Sequence, residues 1–295
     1  MSKRRAPIRL QICRFVGSLL WTALPSWPIH ATASDWVGDR SVAARLVAGT
    51  SSIGPGAIID AGIQFRIAPG WHIYWRTPGE SGLPPMVDWS GSKNIAGATI
   101  AWPFPSRLVV GRIRNNVYQG SVLLPVTVRL SHPAAATQLR AHLNYAACGE
   151  VCVPYDAELN LLLPAGEGLA TPEAAIIADA ETKVPKNLYE QGIDLDRLDV
   201  RRGSDKPFLA VAFRNGAVPF VSPELFVDDD NLHDLPSSTA ELSGGRHIAS
   251  FQVNLPANNV DRKNVCLTLV DNGHAASLRA SFPLRSQELR PQQKC

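Results

Sequence analysis

The stretch LRAHLNYAACGEVCVPYDAELNLLL, residues 139–163, predicts two β-strands joined by a connection that carries two cysteines. Apolar residues occupy alternate positions on both sides of the connection: Leu139, Ala141, Leu143 and Tyr145 before it, and Leu159, Leu161 and Leu163 after it. Because successive strand residues face opposite sides of a sheet, this alternation gives each strand one buried face. Cys148 and Cys152 lie in the connection.

Short strand-like runs recur along the rest of the chain, bounded by Gly, Pro, Ser or Asn. Examples are ARLVAG, AIIDAGIQFRIAP and SVLLPVTVRL in the first half, and FLAVAFR, HIASFQVNL and NVCLTLVD in the second. Long helical periodicity is scarce, and this combination is typical of β-sandwiches. We therefore predict an all-β protein with two sandwich domains.

The composition changes between the two strand-rich halves, and this change sets the predicted domain boundaries. Around residues 166–187 the chain becomes a linker, in which Thr171 can cap and Pro172 can start one short helix. The predicted boundaries are 34–165 for the first domain, 166–187 for the linker, 188–285 for the second domain and 286–295 for a C-terminal tail.

Residues 1–33 have the pattern of a secretory signal peptide. Five basic residues precede the apolar run 15–24, and the small residues of ATAS, 31–34, predict cleavage between Ala33 and Ser34. The apolar run is too short to span a bilayer, which takes about 20 residues. We therefore predict that the chain is exported and that the leader is removed.

Removal of the leader changes the charge balance of the protein. It takes five of the 29 Lys and Arg and none of the 26 Asp and Glu, which leaves 24 basic against 26 acidic residues and a net charge of −2. Nothing in this balance favours a nucleic-acid partner. No later segment approaches the uninterrupted apolar run of about 18 residues that a membrane-spanning helix needs, so we expect a soluble mature protein.

Three interpretations of the Cys148 and Cys152 pair remain open from the residues alone. In an oxidising compartment a disulfide between them is expected. As a structural bond it closes a loop of about five residues, worth ~2 kcal/mol against ~4 for a loop of about 60, so a redox-active bond is the stronger interpretation. As a metal site, two thiolates suit Cu(I), with His72 and His142 as the nearest further ligands, whereas zinc lacks a second closely spaced pair.

Local charge bears on how the pair would react. Glu150 and Asp156 flank it, and no Lys, Arg or His lies between residues 148 and 156. The neighbouring sequence therefore does not lower a thiol pKa, and the pair is better suited to being attacked as a disulfide than to attacking.

Two further cysteines survive removal of the leader. Cys266 lies in NVCLTLVD, on the strand face opposite to Val265 and Leu267, and Cys295 is the final residue. We predict that Cys266 is a packed small hydrophobic residue, that Cys295 is free or opportunistically paired, and that neither takes part in exchange.

Four motifs together resemble the periplasmic N-terminal region of the DsbD/ScsB protein-disulfide reductases. They are PGWHIYWRTPGESGLPP at 69–85, WPFPSR at 102–107, VYQGSVLLPVTV at 117–128 and NYAACGEVCVP at 144–154. The cysteine spacing is closer to the suppressor-of-copper-sensitivity branch, ScsB. The resemblance is specific over about 40–165 and weaker over the second half, where that branch also carries a further sandwich domain.

The resemblance implies immunoglobulin-like sandwiches and a periplasmic location. It also implies that Cys148 and Cys152 are the redox pair, that His72 and Tyr74 line it, and that the stretch between WPFPSR and Tyr118 caps it. Electrons would come from a membrane-embedded thiol reductase and pass to thioredoxin-fold partners, without a cofactor. Cys152 is the predicted exchanging sulfur and Cys148 the resolving one.

This chain departs from full-length reductases, which continue into transmembrane helices and a thioredoxin-like domain. We therefore expect it to act as a component of a disulfide reductase rather than to carry electrons across a membrane by itself. The alternative function is that of a binding protein for copper handling, or for cytochrome or envelope assembly, in which the pair is structural or a metal ligand.

Overall fold

The computed structural model describes residues 31–202, 206–229, 235–255 and 263–282, and shows an all-β protein with one α-helix among them. No helix in these ranges is long and apolar enough to cross a membrane. The predicted leader lies almost entirely outside the described residues, and the predicted tail, 286–295, lies wholly outside them.

Two sheets build the first sandwich. Its strands are β1 (Val37–Gly38), β2 (Val42–Ala48), β3 (Ile58–Ile67), β4 (His72–Gly79), β5 (Met86–Asp88), β6 (Ile95–Ile100), β7 (Ser106–Val110), β8 (Ile113–Tyr118), β9 (Ser121–Leu130), β10 (Thr137–Cys148) and β11 (Cys152–Leu163). One sheet has the order β1-β2-β3-β9-β6, and the other has the order β11-β10-β4-β8-β7 with β5 paired to β10. Their facing apolar residues form one core.

The hairpin of β10 and β11 confirms the predicted alternation. Its antiparallel register runs without a break from Thr137 opposite Leu163 to Cys148 opposite Cys152. The alternating apolar residues are buried on both strands: Leu139, Ala141, Leu143, Tyr145, Leu159, Leu161 and Leu163. The intervening residues are at least partly exposed on the other face. The hairpin is therefore fixed by its buried face up to the cysteines.

Two four-stranded sheets build the second sandwich. Its strands are β12 (Lys186–Asn187), β13 (Ile193–Arg202), β14 (Pro207–Asn215), β15 (Glu224–Asp229), β16 (Glu241–Ser243), β17 (Ile248–Asn254), β18 (Lys263–Asp271) and β19 (His274–Phe282), with a 3₁₀ turn at Tyr189–Gln191. The sheet orders are β12-β19-β18-β15 and β13-β14-β17-β16. A separate apolar core lies between these sheets.

Helix α1, Pro172–Thr182, follows the first sandwich. Thr171 occupies the predicted N-cap position, but its hydroxyl makes no cap; it donates instead to the Ala48 carbonyl at 2.7 Å. Ile177 and Ala180 are buried in a small cluster with residues of β2 and β9. The linker helix is therefore packed on the first domain.

Strand β18 buries both of its faces. Leu267 and Leu269 face the second core, while Cys266 and Thr268 on the other face are also 5% and 0% exposed. The same outer surface includes Phe226 of β15, which belongs to the core cluster of the first domain. The first domain therefore covers this face of the β15–β18 pair.

The prediction for Cys266 as a packed small hydrophobic residue is partly wrong. The residue is buried, as predicted, but it is a disulfide-bonded cysteine rather than a thiol. Cys295 lies outside the described residues.

Candidate functional site

The disulfide between Cys148 and Cys152 joins the two strands at the turn end of the β10–β11 hairpin. The two Cα atoms are 4.0 Å apart, and the Gly149 N–H donates to the Val151 carbonyl at 3.0 Å within the turn. Cys148 is only 2% exposed, whereas Cys152 is exposed. The two ends of the bond therefore differ in accessibility, and Cys152 is the one that a second protein can reach.

Tyr74 of β4 contacts both sulfur atoms. Its hydroxyl donates a hydrogen bond to Cys148 Sγ at 3.0 Å and lies 4.0 Å from Cys152 Sγ. The ring is 1% exposed, and this burial raises the pKa of the phenol above its ordinary value, so the hydroxyl keeps its proton at neutral pH. Tyr74 can therefore donate to a sulfur that becomes negatively charged when the bond opens.

Gly82 determines how the following loop passes Tyr74. Its φ of +103° is unfavourable for residues with a side chain, and a Cβ atom here would overlap the Tyr74 ring. The loop is also tied to β8, because the Ser81 N–H donates to Asn115 Oδ1 at 3.1 Å and Asn115 Nδ2 donates to Ser81 Oγ at 3.0 Å. Neither Gly82 nor Asn115 was predicted from the sequence to belong to the site. The glycine within ESGLPP was the one available signal.

His72 lies beside the disulfide, since its backbone is paired in register with Cys148. The imidazole packs edge-on against Tyr74 with ring centroids 5.3 Å apart, and its Nε2 atom is buried without a hydrogen-bond partner. Burial lowers the pKa of His72 below the ordinary value, so the ring is neutral at pH 7. It supplies no cation to the cysteines at that pH.

The stretch expected to cap the pair is the β7–β8 hairpin. Leu108 and Val117 of this hairpin pack in one small apolar cluster with Tyr74 and Cys148. Trp71 lies against Gly149 in the turn between the two cysteines, where a Cβ atom would be 3.2 Å from the indole ring. The buried cysteine is thus surrounded by apolar side chains while its partner faces solvent.

His142, the other histidine considered as a ligand, lies six residues before Cys148 on the same strand, about 20 Å away along β10. It pairs with Asp156 at 3.0 Å on the outer face of the hairpin, and this hydrogen bond raises its pKa. Within the described ranges, no group of three or more His, Cys, Asp or Glu side chains is arranged to hold a metal ion. The structure therefore brings His72, but not His142, to the cysteine pair.

An immunoglobulin-like sandwich with an accessible short-loop disulfide is the arrangement expected of a thiol–disulfide exchange domain. Residues 44–164 match the family described as "Thiol:disulfide interchange protein DsbD, N-terminal". The first domain is therefore a member of this family and a thiol–disulfide interchange module with Cys148 and Cys152 as its cysteine pair. Residues 183–283 match a domain of unknown function, DUF8393, and no curated protein matches the chain.

Among solved structures, the N-terminal periplasmic domain of ScsB from Proteus mirabilis is similar, with a TM-score of 0.65 and 20% identity. The alignment covers 85% of this chain and 98% of the ScsB domain. This similarity extends the common fold across both sandwiches. Bovine butyrophilin aligns over 79% of this chain and 94% of its own at 9% identity, but its TM-score of 0.22 carries no structural argument.

Proposed function

We propose that this chain is a periplasmic redox relay that receives electrons from a membrane-embedded thiol reductase and passes them to thioredoxin-fold proteins. The observation that carries the proposal is the asymmetric disulfide at the hairpin end, with Cys152 exposed and Cys148 buried beneath Tyr74. The leader pattern and the periplasmic origin of the ScsB domain support the location.

The first half of the cycle reduces the Cys148–Cys152 bond. A thiolate of the electron donor attacks Cys152 Sγ, a mixed disulfide forms, and Cys148 leaves as a thiolate that the Tyr74 hydroxyl stabilises by hydrogen bonding. The donor's second thiol then attacks the donor sulfur of the mixed disulfide and releases Cys152. Two electrons and two protons have moved to the domain, and the donor is oxidised to a disulfide.

The second half of the cycle delivers the electrons. The Cys152 thiolate attacks a disulfide of the acceptor, forms a mixed disulfide and releases one acceptor sulfur. Cys148 then attacks Cys152 Sγ, which restores the intramolecular bond and releases the second acceptor sulfur. The acceptor gains the two electrons and two protons, and Cys148 acts as the resolving cysteine.

The protein loses little stability when this bond is reduced. It closes a loop of about five residues, so the chain-entropy model assigns it only ~2 kcal/mol of stabilisation. The unbroken register of β10 and β11 and their buried apolar face hold the hairpin independently of the bond. Opening the disulfide therefore leaves the surrounding sheet in place for the next cycle.

Exposed apolar side chains on the elements around the disulfide support docking of a protein partner. They lie in the cysteine turn, the loop after β4, strand β5 and the tip of the β7–β8 hairpin: Val151, Leu83, Met86, Val109, Val110 and Ile113. Apolar residues grouped around a reactive centre favour transient contact with another protein over reaction with small solutes alone.

The reduction potential of the Cys148–Cys152 bond tests the proposal. The purified chain is equilibrated in thiol buffers of defined potential, free thiols are alkylated, and the mass shift of the peptide carrying residues 148 and 152 is measured. We expect a potential above about −300 mV, because structural bonds in secreted proteins lie below that value. A lower potential would assign the bond a structural role. The Cys148→Ser/Cys152→Ser variant is the control, because its peptide has no thiol to alkylate and should show no mass shift.

A further inference from the structure

We infer that the second domain holds the β7–β8 hairpin against the disulfide and so limits access to Cys148, with Arg107 and Arg114 as the positioning residues. This regulation rests on the proposed exchange function of the pair. Through these two arginines the second domain would control the reactivity of the Cys148–Cys152 bond in the first domain.

The β7–β8 hairpin is a ribbon with two different faces. In its register Ser106 is opposite Val117 and Leu108 is opposite Asn115, so these residues share one face. Leu108 and Val117 on this face pack with Tyr74 and Cys148. The first face of the ribbon therefore covers the buried end of the disulfide.

The opposite face of the ribbon carries both arginines. Arg107 is opposite Asn116 and Val109 is opposite Arg114 in the same register. Neighbouring strand residues point to opposite sides, so Arg107 points away from the face on which Leu108 packs with Cys148. The second face is therefore available to bind the second domain.

Arg107 binds the second domain at β15. Its Nη2 atom donates to the Leu225 carbonyl at 2.9 Å, and its guanidinium lies 4.5 Å from the ring centroid of Phe226. Its Nε atom is 3.9 Å from the Glu224 carboxylate, and the side chain is 16% exposed. A planar cation that hydrogen-bonds a carbonyl and stacks on a ring is held in one orientation.

Arg114 binds the same part of the second domain. Its Nη1 atom donates to the Ser237 carbonyl at 3.1 Å. Ser237 is buried and its hydroxyl donates to the Leu225 carbonyl at 2.6 Å, which is the carbonyl that Arg107 also contacts. The two arginines thus attach both strands of the hairpin to one connected site.

Backbone pairing joins the hairpin to its own sheet only through β8, so β7 depends more on its contacts with the second domain. β7 is the edge strand of its sheet, and β8 pairs with β4 at Ile73 and Tyr74 before the register is interrupted until Gly79. The tip residues Val110 and Ile113 are 62% and 46% exposed. β7 therefore has a strand partner on one side only, so side-chain contacts such as those of Arg107 contribute to holding it in place.

Thiol alkylation in the reduced protein tests this inference without any redox partner. After reduction, the rates of alkylation of Cys148 and Cys152 are measured separately by peptide mass spectrometry. In the Arg107→Ala/Arg114→Ala variant we expect Cys148 to react roughly tenfold faster, which corresponds to about 1.4 kcal/mol of lost attachment. Cys152 is exposed already, so its rate should stay the same and serve as an internal reference.

Arg112→Ala is the matched control, since Arg112 is an exposed arginine in the turn of the same hairpin. Phe226→Leu leaves the hairpin itself unchanged, keeps an apolar side chain in the core shared by the two domains and removes the ring beneath Arg107, so it should raise the Cys148 rate by a smaller factor. The folded state of each variant is checked by circular dichroism.

A Cys148 to Cys152 rate ratio that stays at the wild-type value in the double variant would overturn the inference, even if the protein became less stable. An increase in the double variant that Phe226→Leu does not share would assign the effect to the hairpin alone and would also overturn it. Failure of the proposed exchange function is distinguished separately, because it would appear as a potential below about −300 mV with the alkylation result unaffected.

Discussion

Cys148–Cys152 and Cys266 are both disulfide cysteines, but their surroundings differ. The first pair lies at the turn end of a hairpin, with one member exposed. Cys266 lies within β18, with buried residues on both strand faces. The Arg76 guanidinium, which pairs with Asp228 at 3.2 Å, is also 3.2 Å from Cys266 Sγ. Position in the sheet thus separates a cysteine that another protein can reach from one enclosed between two domains.

The largest expected effect belongs to the enclosed region. The side chains of Arg76 and Asp228 are 10% and 3% exposed, so Arg76→Ala leaves a buried carboxylate without this cation. We expect a loss of about 3–5 kcal/mol in the free energy of unfolding, measured by urea denaturation. The exposed control Arg112→Ala should stay within about 0.5 kcal/mol of wild type. A loss below about 1 kcal/mol for Arg76→Ala would remove the energetic contrast between the two regions.

A smaller effect is expected at the hairpin end. The Cys148→Ser/Cys152→Ser variant should lose about 2 kcal/mol of unfolding free energy, since the bond constrains only a short loop. The same urea titration measures it, with the oxidised wild-type chain as the reference. A loss above about 4 kcal/mol would instead identify this bond as a main structural constraint, as expected for a long loop.

Tyr74→Phe sharpens the comparison at the level of one hydrogen bond. The variant removes the hydroxyl that donates to Cys148 Sγ while keeping the ring that packs against His72. In the reduced chain we expect the pKa of the Cys148 thiol to rise by about one unit, because a hydrogen bond to a charged group contributes about 1.5 kcal/mol or more. The pH dependence of Cys148 alkylation measures this pKa; an unchanged profile would show that the hydroxyl does not stabilise the thiolate.

The smallest effect concerns pH and His72. Its folded-state pKa is depressed below the ordinary value of 6.5 by burial, so the unfolded chain binds a proton at higher pH than the folded chain. Stability contributed by the neutral ring is therefore complete above pH 6.5 and is lost as the pH falls below it. His72→Phe should flatten this slope in urea titrations between pH 7 and 5; an identical slope would show that other groups cause it.

His142 lies on the exposed face of the β10–β11 hairpin, and its contribution to stability should have the opposite pH dependence to that of His72. Its pKa is raised mainly by the hydrogen bond to Asp156, so its contribution is complete below pH 6.5 and is lost as the pH rises through its folded-state pKa. His142→Gln is therefore the matched variant for the His72 experiment. The two substitutions should change the pH profile of stability in opposite directions.

Local patterns allowed much of the fold to be predicted. The alternation of Leu139 to Tyr145 and of Leu159 to Leu163 follows from the period of a strand, and it fixes both the hairpin and the place of the cysteines. The resemblance motifs led to the correct family for the first domain. Cleavage after Ala33, the predicted domain boundaries and the separate roles of the site residues remain predictions.

Contacts between distant segments could not be predicted in the same way. Asp228 is followed by a second aspartate at the end of β15, a pattern that favours a solvent-facing carboxylate, yet Asp228 is buried beside Arg76 of the first domain. The contact of Gly82 with Tyr74 depends on a loop conformation that no periodicity encodes. Thr171 has the right residue type for a cap, but the Ala48 carbonyl from another strand takes its hydroxyl. In each case a partner remote in sequence decides the outcome.

Capture of a partner by single-cysteine variants tests most directly the claim that the two ends of the disulfide have different roles. Cys148→Ser and Cys152→Ser are each expressed in the envelope of the host cell, and adducts are separated on non-reducing gels and identified by mass spectrometry. We expect Cys148→Ser to accumulate a reductant-sensitive complex with a thioredoxin-fold protein, because Cys152 can still be joined but nothing resolves the bond. Cys152→Ser should capture little. An adduct from Cys152→Ser alone would reverse the two roles, and the absence of any adduct from both variants would contradict the relay.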